Sequence, residues 1–129
     1  MTKISLKNIS IFGDGHLASF LKPILAQNEI SFNTFGRSAH HDYQINLSEA
    51  YFGGDLENKL EKAYDTVIYM IPPHENTVNL LKTLKKKNPY LVFVSSTSVY
   101  GYGEVDENTP INPQTKNGVL LQSAEKYIT

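Results

Sequence analysis

Three stretches of this sequence are apolar almost from end to end: Asn8-Ile9-Ser10-Ile11-Phe12, Thr66-Val67-Ile68-Tyr69-Met70-Ile71 and Tyr90-Leu91-Val92-Phe93-Val94. A strand with one face in water alternates apolar and polar residues, whereas a continuous apolar run has both faces buried. The first run is followed by Leu17, Phe20, Leu21, Ile24 and Leu25 at helical spacing, the second by Val78, Leu80, Leu81 and Leu84. Strands buried on both sides and separated by helices build a parallel sheet with helices on each face. Right-handed crossovers make the doubly wound arrangement the default, and five strands in the order 3-2-1-4-5 are its simplest form.

The other elements fit between these. Glu29 to Phe35 alternates and is rich in strand formers, which predicts a strand near 30–35 closed by Gly36-Arg37-Ser38. A short strand is predicted over 43–47, then an amphipathic helix carrying Leu56, Leu60 and Ala63. The remaining strands are expected near 8–12, 66–71 and 90–95, with a helix over 75–87 whose last turn is Lys85-Lys86-Lys87. That basic run is expected to complement the negative end of its helix. Pro23 lies inside the first helical pattern and predicts a kink or an early stop. Two of the six prolines fall between Gly101 and Gly118, which reads as a loop, and a final helix is expected from about Val119.

Composition narrows the class. At 129 residues the chain makes one domain, 1–129, and 12 basic against 13 acidic residues give a formal net charge of −1. No global field recruits nucleic acid or an anionic membrane. The absence of cysteine excludes disulfides and thiolate chemistry. No apolar run approaches the roughly 20 residues of a membrane span, and Met1-Thr2-Lys3 leads into a strand pattern rather than a secretory signal. The expectation is a soluble, cytoplasmic domain.

Between the first strand and its helix stands Gly13-Asp14-Gly15-His16-Leu17-Ala18, a match to G-x-G-x-x-G/A. The first glycine permits a tight turn, the second lets backbone amides approach a pyrophosphate, and the small Ala18 lets helix and strand pack closely. His16 and Leu17 belong to the same phosphate-facing turn. A site for NAD usually carries Asp or Glu at the end of the second strand. Phe35-Gly36-Arg37-Ser38 has none, and Arg37 with Ser38 suits the 2′-phosphate of NADP. The cofactor expected is NAD(P), with NADP favoured. Ile71, Pro72 and Pro73, at the end of the fourth strand, are expected to flank it, with His74 beside them. His40-His41-Asp42 is a weak candidate for metal, since adjacent side chains in an extended loop diverge.

Val92-Phe93-Val94-Ser95-Ser96-Thr97-Ser98-Val99-Tyr100-Gly101, followed by the acidic, proline-containing Glu104 to Thr115, makes the pattern more specific. It resembles the atypical and extended short-chain dehydrogenase/reductases, the NAD-dependent epimerase/dehydratase family that acts on nucleotide-sugars. The resemblance runs from the glycine loop to Ala124-Glu125. It implies a Rossmann fold in which Ser96 donates a hydrogen bond to the substrate oxygen, Thr97 and Ser98 line the same pocket, and Ser95 lies beside the cofactor.

The family's acid/base pair is a Tyr and a Lys spaced Y-x-x-x-K. Alignment on Ala124-Glu125 places Asn117 and Leu121 at those positions, and neither can exchange a proton or carry charge there. The family's substrate is gripped largely by a portion that follows the region matched here. The resemblance therefore implies a cofactor-binding front part, inactive alone, with a nucleotide-sugar as the substrate of the larger design. The alternative is a non-catalytic cofactor-sensing or protein-interaction module that keeps the fold. An uncovered fifth strand would also offer an edge for homodimerisation.

Overall fold

A computed structural model describes residues 7–13, 15–47, 58–72, 74–94 and 115–128. The apolar runs form the centre of a parallel sheet: β1 (Asn8–Phe12), β2 (Ser31–Gly36), β3 (Tyr43–Gln44), β4 (Thr66–Tyr69) and β5 (Tyr90–Phe93). Their order is β3-β2-β1-β4-β5, with every pair parallel, as the alternation of strands and helices predicts. The helices are α1 (His16–Gln27), α2 (Thr77–Lys85) and α3 (Lys116–Ile128). Residues 58–60 add a single helical turn, and the rest of the helix predicted around Leu56 lies outside the described residues.

One face of the sheet carries the larger core. Phe12, Phe35, Val67 and Tyr69 pack there with Leu80, Leu81 and Leu84 of α2 and Ala124 of α3. Ile9 and Ile11 point to the opposite face, where Ala18 and Leu25 of α1 cover them. Because β1 is buried on both sides, its buried polar residue, Ser10, needs partners inside. Ser10 donates to Asn33 Oδ1 (2.5 Å) and accepts from the Tyr64 backbone N–H (2.7 Å), while Asn33 reaches the Lys62 carbonyl (3.0 Å).

An aromatic row crosses the whole sheet near its C-terminal edge. Tyr43, Phe35, Phe12, Tyr69 and Phe93 come one from each strand in spatial order, with successive ring centroids 4.9, 4.4, 5.9 and 5.5 Å apart. The backbone register pairs the same residues, so strand pairing and ring stacking enforce one alignment.

Several boundaries differ from the sequence expectation, each for a local reason. β3 is two residues long, not five: Ile45 N–H still bonds the Gly36 carbonyl (2.7 Å), but the chain then leaves the ladder. β4 ends at Tyr69; Met70 N–H still reaches the Phe12 carbonyl (2.7 Å), and Pro72 brings no donor to continue. α1 runs on past Pro23 to Gln27. Both Pro23 and Ser19 are exposed, so water can solvate the carbonyl that loses its helical partner.

That helix ends in a Schellman arrangement without glycine. Glu29 takes φ 58°, Ile30 N–H reaches Leu25 O (2.9 Å) and Glu29 N–H reaches Ala26 O (3.2 Å). The last helix starts at Lys116 rather than near Val119, which shortens the predicted 101–118 loop. Thr115 Oγ1 accepts the Gly118 N–H (3.0 Å) and caps it. The lysine run does more than complement a dipole. Lys87 Nζ bonds the Glu61 and Ala63 carbonyls, and Lys82 and Lys85 stand over the Tyr127 ring, joining α2 to α3.

Candidate functional site

The site begins where β1 ends. Gly13 takes φ +106°, and a Cβ there would stand 2.9 Å from Met70 C and 3.0 Å from Ile71 N. Its N–H bonds the Phe35 carbonyl (2.8 Å), so the turn is drawn in between the ends of β2 and β4. Only glycine satisfies both the conformation and the space. Gly15 differs: its φ is −90°, and among the described residues nothing lies within 4 Å of where its Cβ would be. Protein packing does not demand a glycine at that position, whereas a ligand drawn onto the backbone would.

Gly15 is also the N-cap of α1, without a side-chain cap and without an acidic residue in the first turn. The first amides of the helix and the positive end of its dipole therefore face the turn, with no acidic side chain on the helix's own first turn. Beside it opens a cleft of about 370 Å³, within the range of small-ligand sites. Gly13 and Gly15 line its floor, Ile71 and Pro72 one wall, and Arg37 and Ser38 the other.

These six are sequence-predicted residues brought together. Ala18 is fully buried in the α1 face of the core, where its small size allows the close packing expected of it. His16 and Leu17 stand exposed on the first turn of α1, outside the residues that line the cleft, and the His16 ring meets the Phe20 ring edge-on at 4.9 Å. Pro73, Ser95, Ser96, Thr97 and Ser98 lie outside the described residues. On α3, Asn117 is exposed and Leu121 is buried, 4% accessible; neither lines the cleft.

Other lining residues escaped the motif. Ile45, Asn46 and Leu47 read as the continuation of a strand, but the early end of β3 turns them along the cleft. His74, expected beside Ile71 and Pro72, does line it. Its Nδ1 accepts the Asn76 N–H (3.0 Å), which leaves the ring proton on Nε2 in the neutral form. Gly36 and His41 complete the wall beside Arg37. Apart from the strand-ending glycine, no periodicity or motif marks them.

The electrostatics of the wall follow from where its acid goes. Asp42, the nearest carboxylate in sequence, accepts from Thr34 N–H (2.9 Å) and Thr34 Oγ1 (3.3 Å), while its own N–H bonds Thr34 Oγ1 (3.0 Å). It serves as the next rung between β2 and β3 and does not line the cleft. The described lining residues include Arg37, His41 and His74 but no carboxylate. The Arg37 backbone is held as its carbonyl accepts the Gln44 side-chain amide (2.8 Å).

No protein-family model matches the sequence. Protein YeeZ of Escherichia coli, in strains K12 and O157:H7, is 45% identical over 47 residues, which is 35% of this chain and 17% of YeeZ. Among solved structures, a short-chain dehydrogenase/reductase superfamily protein from Agrobacterium tumefaciens with bound NAD superposes with a TM-score of 0.74 at 17% identity, covering 94% of this chain and 44% of that one. A Methylobacillus flagellatus protein described as an NAD-dependent epimerase/dehydratase gives 0.71 at 21% identity, covering 97% and 51%. dTDP-glucose 4,6-dehydratase from Bacillus anthracis, in complex with NAD, gives 0.61 at 20%, covering 92% and 48%.

The fold is a Rossmann fold. The chain spans about half the length of the solved structures it matches. In a Rossmann sheet, ligands lie outside the carboxyl ends of the strands where the strand order reverses. The cleft of this chain opens at that place, between the ends of β1, β2 and β4. Among the described residues, no helix is long and apolar enough to cross a membrane.

Proposed function

We propose that this chain binds a nicotinamide dinucleotide across the Gly13–Gly15 turn, with NADP(H) preferred over NAD(H). The observation that carries the reading is Gly15: a glycine at an uncapped helix N-terminus, lining a cleft, with open space where a side chain would go. The pyrophosphate lies over Gly15 and the first amides of α1. The adenosine ribose lies against Arg37 and Ser38, and Ile71 and Pro72 flank the nicotinamide side. The preference for the 2′-phosphate follows from a wall with a guanidinium and no described carboxylate.

Bound there, the nicotinamide ring would supply hydride transfer. The resemblance to epimerases and dehydratases suggests a nucleotide-sugar substrate, with Ser96 donating to its reacting oxygen. The positions of the family's Tyr/Lys pair hold exposed Asn117 and core Leu121, so those positions supply neither proton nor cation. The chain by itself is thus proposed to bind cofactor and not to turn over such a substrate through that pair.

Titration of the purified chain with NADPH and NADH, followed by nicotinamide fluorescence, tests this. The expected result is saturable binding of both, tighter for NADPH, with the preference lost in Arg37→Ala. If neither binds at millimolar concentration, the cofactor assignment falls. An Arg37→Ala protein that keeps its preference removes the argument for the 2′-phosphate alone.

A further inference from the structure

On the α1 side of the sheet, burial falls strand by strand. Ile11, Ile68 and Val92 are successive partners in the backbone register, so their side chains leave the same face. Ile11 is fully buried under α1, Ile68 is half-buried, and Val92 is 41% accessible. Tyr90 and, just past β5, Val94 lie in the same row of β5 and are exposed as well. Among the described helices α1 alone covers this side, since α2 and α3 pack into the opposite core.

The helix adds a second apolar surface. At about 100° per residue, Ala18 and Leu25 face the sheet, while Leu17, Phe20 and Ile24 form a stripe roughly a third of a turn away. These three are 54%, 60% and 54% accessible. In the right-handed crossover from β1 to β2 the helix runs back against the strand direction. That sense turns the stripe toward β4 and β5, and it leaves Lys22 and Ala26 on the flank toward β2. An apolar ridge therefore stands beside an apolar floor.

We propose that ridge and floor form the interface of a two-fold dimer of this chain, each copy laying its α1 flank onto the β4–β5 floor of the other. A two-fold contact must be self-complementary. A surface carrying both a ridge and the floor beside it meets that condition, because ridge meets floor twice. The size fits too: the exposed side chains of the two elements leave on the order of 500 Å² of apolar surface in water. A standard interface takes about 800 Å² from each partner, of which roughly 60% is apolar. A net charge of −1 sets little repulsion between copies. This contact reaches the β5 edge but does not need β5 to continue its ladder with a second strand.

Cross-linking separates the two arrangements, because the chain has no cysteine of its own. Phe20→Cys and Val92→Cys chains, mixed in equal amounts and mildly oxidised, should give a disulfide between the two variants. Val92→Cys linking only to itself indicates edge pairing and overturns the proposal, as does the absence of any dimeric product. Light scattering against concentration supplies a second measurement. Phe20→Lys, at an exposed position, should fold as wild type by circular dichroism and weaken the dimer about 100-fold, since one phenyl contact is lost on each side of the axis. Ala26→Lys, on the other flank, should leave the dimer intact. A Phe20→Lys protein as dimeric as wild type, or equal weakening by Ala26→Lys, contradicts the interface. Wild type that stays monomeric at every concentration overturns it and leaves the groove to a different polypeptide.

Discussion

Phe12 and Phe35 stack with ring centroids 4.4 Å apart and planes 4° from parallel, and each is followed directly by a glycine that shapes the cleft. The same two residues are backbone partners in the β1–β2 register. The stack therefore fixes how the Gly13 turn stands relative to Gly36 and Arg37, one strand away. A ligand touching both strand ends depends on a contact it never meets.

Truncating that contact is expected to cost stability heavily. Phe12→Ala removes the central ring of the row at a fully buried position, for which about 3–5 kcal/mol is typical. Urea unfolding monitored by circular dichroism measures it. A loss below about 1 kcal/mol would mean the row is not the core's organising feature.

The two loop glycines should separate stability from binding. Gly13→Ala forces a side chain into a left-handed backbone and onto Met70 and Ile71, costing about 1–3 kcal/mol in backbone strain alone. Gly15→Val has room and an ordinary φ, so its melting temperature should match wild type while NADPH affinity drops at least about tenfold through obstruction of the phosphate amides. A Gly15→Val protein that binds normally would show that the open space serves no ligand.

Tyr69 should govern behaviour at alkaline pH. Burial pushes its phenol well above the ordinary range, with Thr77 partly opposing the shift. A raised folded-state value means that the neutral form is favoured on folding. Its contribution is complete below the unfolded phenol value of about 10 and is lost as pH rises beyond it. Wild type should lose stability above that pH more steeply than Tyr69→Phe, as read from melting temperature against pH. Parallel curves would contradict the assignment.

The β5 edge is expected to associate. β5 stands at one end of the described sheet, and Tyr90, Val92 and Val94 are 39%, 41% and 37% accessible. Light scattering across a concentration series should show a dimer in wild type and a smaller one-chain mass for Val92→Lys. A monomer at every concentration would exclude this edge as a contact.

Much of the fold was legible because the apolar runs and helical spacings are strong signals. Ile9, Ile11, Val67 and Leu91 announce buried strands, and their order follows from connection rules. The cleft was legible only in part. Gly13, Gly15, Arg37 and Ser38 follow from a motif with a physical rationale. Ile45, Asn46 and Leu47 do not, because their apolar–polar alternation suits a strand as well as a wall, and only the early end of β3 distinguishes the two. His41 was hidden for another reason: its place over Gly36 is set by the β2–β3 turn, which no local pattern encodes. Thr115 likewise capped α3 earlier than Gly118 suggested.

The most direct test is a crystal structure of the chain grown with NADPH. The pyrophosphate should lie over Gly15 at the start of α1, with the 2′-phosphate against Arg37 and Ser38. A dinucleotide bound elsewhere on the molecule, or crystals that exclude it at millimolar concentration, would contradict the account.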